Sequence, residues 1–191
     1  MIKHVTIVPG NGNTDINENW YPYIKRALEE SGIEITARNM PDPELAREEI
    51  WIPFIEKELK AGINTIAVGH SSGAVAIMRY LETHKLLGAI LVGASHTDLG
   101  NNSEKLSGYF DSPWNWDTIK KNTKWIVQYA SQDDPYIPIT EARFIHEKLS
   151  TEYYEYVDQG HFGSDIGKTE FPEIVDAVLK KLVVFNQESS H

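Results

Sequence analysis

The chain has 191 residues, of which 41% are hydrophobic and 24% charged, with a formal net charge of −10 and no cysteine. That size and balance suit one soluble globular domain with a sizeable core; the missing cysteines exclude disulfides and thiolate metal sites, and the acidic excess argues against a nucleic-acid binder, which needs basic surface. No apolar run approaches the roughly 20 residues that span a bilayer, and the opening MIKHVTIVPGNG carries no basic-apolar-small signal, so a cytoplasmic protein without membrane or nucleic-acid partners is expected.

In chain order, His4–Val8 reads as a buried first strand closing on Pro9-Gly10-Asn11-Gly12-Asn13, a dense loop signal. Residues 20–31 have helical spacing and stop at Gly32, and a short strand over 33–38 leads to the turn Pro41-Asp42-Pro43. A second helix is expected over 45–61, with Ile50, Trp51, Phe54, Ile55 and Leu59 on one stripe and Pro53 inside the pattern as a kink or a first-turn residue. Asn64–Gly69 is the next strand, a helix follows over 72–84, and Gly88–Gly93 has the continuous apolar character of a strand covered on both faces. Residues 95–116 read as polar and irregular, broken by Gly100, Gly108 and Pro113. A helix over 115–122, a strand over 124–130, a helix over 139–149, a strand over 152–157 and a helix over 171–182 complete a single domain, 1–184, with a tail from 185 to 191.

Strands and helices alternating in this way imply right-handed crossovers and a doubly wound, mostly parallel α/β sheet with helices on both faces. In such sheets ligands bind outside the carboxyl ends of the strands. The chemistry-bearing residues fall at those ends.

Gly69-His70-Ser71-Ser72-Gly73 is a G-x-S-x-G pentapeptide between a strand and a helix. Chance would supply about 0.06 of them in a chain this long at ordinary residue usage. In the α/β-hydrolase arrangement the glycines permit a cramped turn that presents the serine above the sheet. A serine needs a base near neutral pH, and the chain order in that fold is serine, acid, histidine. Asp133 and Asp134 follow the strand over 124–130, and His161 follows the last strand, so all parts occur in order. Taken singly, Asp-Pro is a common turn opener, and one loop histidine in a chain with seven is unremarkable. His70 occupies the x position and reads as structural or pocket-lining; His96 is a weaker candidate for the site wall. The backbone N–H groups of Ser72 and Asn11 are the candidates for an oxyanion hole. The loop Gly10-Asn11-Gly12-Asn13 lacks the spacing and the lysine of a nucleotide site, so no cofactor and no metal are expected.

The stretches Ile7–Gly12, Asn39–Pro43, Ile66–Gly73, Ser107–Phe110, Pro113–Trp116 and Gly160–Phe162 resemble the retinoblastoma-binding protein 9 family of serine hydrolases, and the matches run from the first strand to the last helix. The resemblance implies a compact α/β-hydrolase with little or no lid. It implies Ser71 as nucleophile, His161 as general base and an orienting acid in the Asp133-Asp134 pair. Asp134 is the expected acid because it immediately precedes the proline of a D-P-x-x-P loop, with Asp133 as the alternative. The activity implied is cleavage of a small ester or amide; the alternative is a protein-interaction scaffold using aromatics at Tyr109, Phe110, Trp114 and Trp116. One departure concerns partners: the L-x-C-x-E segment of mammalian members has no counterpart near Leu59–Ile63, which leaves retinoblastoma-protein binding through it doubtful.

Overall fold

The computed structural model describes residues 4–188. Its elements are β1 (His4–Val8), α1 (Tyr21–Glu30), β2 (Glu34–Ala37), α2 (Glu48–Lys57), β3 (Thr65–His70), α3 (Ser72–Thr83), β4 (Gly88–Val92), α4 (Asn102–Ser107), α5 (Trp116–Lys121), β5 (Ile126–Ser131), α6 (Ile139–Leu149), β6 (Glu152–Tyr156) and α7 (Pro172–Glu188). The strands form one parallel six-stranded sheet in the order β2-β1-β3-β4-β5-β6. The expected doubly wound, mostly parallel α/β sheet with helices on both faces is therefore the observed one. After β2 the chain returns past β1 and continues on its other side. Loops leaving β1 and β3 diverge at that reversal, and a crevice opens between them.

Alternating side chains divide the core between the two faces of the sheet. Val5, Ile7, Ile66, Val68, Ile90, Val92, Val127 and Tyr129 pack under α1 and α7. Ala67, Ala89, Leu91 and Ile126 meet α2, α3, α5 and α6 on the other face. Small residues dominate there because α3 lies almost on the strands, with every residue from Ser72 to Leu81 buried. α1 ends in a Schellman motif: Gly32, at φ +75°, donates to the Glu29 carbonyl, and Ile33 donates to the Leu28 carbonyl.

Three segments differ from the sequence expectation. Residues 102–107 are helical, because the Asn101 side chain accepts from the Ser103 N–H and Gly108 takes the left-handed cap at φ +86°. The second helix is shorter than the expected 45–61, running Glu48–Lys57 with Pro53 in its interior and not in its first turn. The last helix continues through Glu188, into the segment expected as a tail, and residues 189–191 lie outside the described residues.

The 108–114 segment is packed down by Arg79 of α3. Its guanidinium donates to the Tyr109 carbonyl (2.8 and 2.5 Å) and the Ser112 carbonyl (2.6 Å), pairs with Glu82 (2.9 Å) and lies 3.7 Å from the Trp114 ring centroid. Tyr109 is consequently fully buried, while Phe110, Trp114 and Trp116 are half-buried against the core. None of these four aromatics is fully exposed.

Candidate active site

Ser71 follows β3 directly, at φ +55° and ψ −124°, a strained backbone for any residue but glycine. The strain is imposed by how closely α3 approaches the sheet. A Cβ on Gly69 would stand 2.6 Å from the Gly73 carbonyl oxygen, and one on Gly73 would fall inside the Val8 carbonyl. The Ser71 N–H is tied to the Val92 carbonyl at 2.8 Å. Helix, strand and loop thus converge on one sharp elbow.

The base and acid candidates meet beside it. His161 Nδ1 lies 2.7 Å from Asp134 Oδ2, and the two side chains are only 12% and 2% exposed. The other oxygen, Asp134 Oδ1, accepts the N–H groups of Tyr136 (2.8 Å) and Ile137 (2.9 Å), which fixes the carboxylate in its own turn. A carboxylate on Nδ1 holds the proton there, so the neutral imidazole presents Nε2 as an acceptor. Gly93 at the end of β4 makes room for the pair: a Cβ there would stand 3.0 Å from His161 Cε1 and 3.7 Å from Asp134 Oδ2.

Asp133 does something else. Its Oδ1 accepts from Ser131 Oγ (2.5 Å) and from the Gly160 N–H (2.8 Å), while Ser131 Oγ accepts the Gln159 N–H (2.8 Å). The Ser131 hydroxyl, followed by these backbone donors, holds the Asp133 carboxyl below its ordinary range. The adjacent carboxylates therefore divide the work. Asp134 meets the imidazole, and Asp133 fastens the loop that carries it.

Ser71, Ser72, Asn11, Gly10, His70, Glu104, Tyr136 and His161 all line one cavity of about 520 Å³ over the β1/β3 reversal. Asn11 Nδ2 donates to Glu104 Oε1 at 2.8 Å, and the Ser72 side chain also bonds that carboxylate, so Glu104 ties the two candidate oxyanion residues together. Burial raises the Glu104 carboxyl above its usual range, against the lowering effect of those two hydrogen bonds. Among the described residues no group of three or more His, Cys, Asp or Glu side chains could hold a metal.

His96 turns away from this cavity. It stacks on Phe144 with centroids 4.1 Å apart, and its Nδ1 is 2.6 Å from Glu141 Oε2 at an angle too oblique for a hydrogen bond. Glu141 also accepts the His96 and Thr97 N–H groups, fastening the loop after β4 to α6. Sequence reasoning missed Glu104, Gly93 and Asp165. The last accepts the His161 N–H (2.6 Å) and the Gly163 N–H (3.1 Å). For Asp165 the local signal is an acidic residue three positions after the Gly160-His161-Phe162 turn, and it is weak.

Comparison with known proteins bears on the family and the fold. The sequence pattern of the family described as Serine hydrolase matches residues 5–181. Serine hydrolase RBBP9 of Rattus norvegicus is 46% identical over 178 residues, covering 92% of this chain and 94% of that protein. The crystal structure of the ydeN gene product from B. subtilis superimposes with a TM-score of 0.86 at 27% identity, covering 95% of this chain and 99% of that one. A structure from work on carboxylesterases of the thaumarchaeon Nitrososphaera gargenis shares the fold, with a TM-score of 0.72 at 12% identity over 97% of this chain and 92% of that one. With the family pattern covering β1 through α7 and a relative this similar along nearly its whole length, the chain belongs to the serine hydrolase family.

Proposed function

We propose that this serine hydrolase cleaves a small ester or amide through an acyl-enzyme on Ser71, with His161 as general base and Asp134 as its orienting acid. The observation that carries the reading is the 2.7 Å contact between His161 Nδ1 and Asp134 on the rim of the cavity that the Ser71 elbow enters. As Ser71 Oγ attacks the carbonyl carbon, His161 Nε2 takes the hydroxyl proton. The charge that develops on the imidazole is stabilised by Asp134, which does not itself take the proton. The tetrahedral oxyanion is received by the N–H groups of Asn11 and Ser72, of which either can supply about 3–4 kcal/mol of transition-state stabilisation. His161 then gives its proton to the leaving oxygen or nitrogen as the bond to it breaks. Water repeats the sequence on the acyl-enzyme and frees the acid.

A cavity of about 520 Å³ is in the size range of small-molecule sites, and no long insertion covers it, α4 having only six residues. Both features favour short acyl groups over long lipid chains. A fluorophosphonate probe tests the reading directly. Wild type is expected to label and Ser71→Ala to remain unlabelled, with His161→Ala slowed by several orders of magnitude; turnover of p-nitrophenyl acetate should fall on the order of 10⁶-fold in Ser71→Ala. Labelling that survives in folded Ser71→Ala would remove Ser71 as the nucleophile.

A further inference from the structure

His70 is a buried imidazole that the proposed reaction leaves unused. It directly precedes Ser71, is 4% exposed, and its ring centroid lies 5.0 Å from that of His161. Its Nε2 is 2.7 Å from the backbone carbonyl oxygen of His161. A carbonyl only accepts, so Nε2 carries the proton and Nδ1 the lone pair. That lone pair receives the Tyr21 hydroxyl proton at 2.7 Å. The Tyr21 oxygen is in turn approached by the Gly10 N–H, from the loop that also carries Asn11. Burial first, and the neighbouring His161 second, lower the His70 pKa to about 3, so the ring stays neutral beside the base.

The turn being held needs holding. Phe162 has φ +58°, a strained value for an aromatic residue. Its carbonyl accepts from Trp20 Nε1 at 2.7 Å, so consecutive carbonyls of the base loop are both fixed by buried donors. Trp20 packs 5.6 Å from the His70 ring. The bonds through His70 and Tyr21 therefore join the elbow, the base loop and the loop after β1.

We infer that His70 is a positioning residue: its Nε2–H, oriented by the Tyr21 hydroxyl, sets the distance between the His161 imidazole and the serine that His70 itself precedes. The inference rests on the reading of Ser71 and His161 given above. A neutral donor suits the task, because a charge here would oppose the imidazolium that forms on His161 during the reaction.

The test is p-nitrophenyl acetate turnover by His70→Leu, His70→Gln and Tyr21→Phe, each at a temperature where circular dichroism reports full folding. His70→Leu removes the donor and is expected to lower kcat about 10–100-fold with KM changed less than about threefold, the size of effect that a 1 Å misplacement can produce. His70→Gln, whose amide N–H reaches toward the same carbonyl, is expected to recover at least half of that loss on a logarithmic scale. Tyr21→Phe frees Nδ1 to take the proton and should lower kcat about 3–10-fold. The base limb of the pH–rate profile should not move, since one neutral group replaces another. An unchanged kcat in His70→Leu, a Gln variant no better than Leu at equal stability, or a displaced base limb with full kcat would each overturn the inference. If His70→Leu fails to fold, Tyr21→Phe and His70→Gln decide: wild-type kcat in Tyr21→Phe overturns it. His161→Ala separates the two claims. Full turnover there defeats the underlying reading, whereas loss there with none in the His70 variants defeats only this inference.

Discussion

At the scale of single residues, the functional division between Asp133 and Asp134 is the sharpest prediction. Asp134→Asn keeps the shape of the turn but loses the charge on His161 Nδ1 and favours the wrong tautomer, so kcat should fall by about 10⁴-fold. Asp133→Asn touches only the loop fastening through Ser131 and Gly160 and should keep kcat within about tenfold, with a lowered melting temperature. Steady-state kinetics and thermal melts on the two variants check this, and a reversed ranking would transfer the acid role to Asp133. The sequence narrowed the acid to this pair because both follow a strand in the required order. It could not choose by physical argument, because the choice depends on which carboxylate meets a histidine 27 positions away. The elbow at Ser71 was legible for the opposite reason: its motif is local, and the glycines that permit the turn stand within two residues of it.

At the scale of elements, two glycines of the same chain answer to different physics. Gly73 has no room for a side chain, since a Cβ would overlap the Val8 carbonyl and push α3 off the sheet. Gly73→Ala should therefore cost at least ~2 kcal/mol, as overpacking does, and should also reduce turnover by displacing the elbow. Gly32 has φ +75° and open space around it, so Gly32→Ala should cost only about 1 kcal/mol of backbone strain and leave turnover intact. Urea midpoints with unchanged m-values measure both, and equal costs would refute the distinction. Most helices were legible from apolar periodicity and their stops. α4 escaped because six residues cannot display a period; its evidence was an Asn cap and a Gly stop, which in a polar stretch read equally well as loop punctuation.

At the scale of the whole molecule, the buried neutral His70 couples stability to pH. Its native pKa of about 3 lies below the ordinary 6.5, so between those values the unfolded chain binds the extra proton. The stability it contributes is complete above about pH 6.5 and is lost as pH falls toward 3, by up to ~1.4 kcal/mol per pH unit. The groups facing it are Tyr21, His161 and Asp165. His4, also lowered by burial, acts with the same sign, while Glu48 and Glu104, raised by burial, act with the opposite one. All three are shared with a His70→Gln variant, so the difference between the two proteins isolates His70. Urea unfolding from about pH 7 to 4.5 should show a shallower acid-side loss in the variant; parallel curves would mean that the native imidazole titrates normally. The sequence by itself determined the alternation of strands and helices, the parallel sheet and the serine elbow, because periodicity, glycine spacing and strand–turn–helix context act over a few neighbouring residues. Only the tertiary structure decided which aspartate meets His161, that His96 turns away, that Glu104 and His70 line the cavity of Ser71, and that Gly93 makes room for the His161–Asp134 pair. Those relations hold between residues far apart in the chain, and they exist only once the carboxyl ends of the parallel strands have been brought side by side.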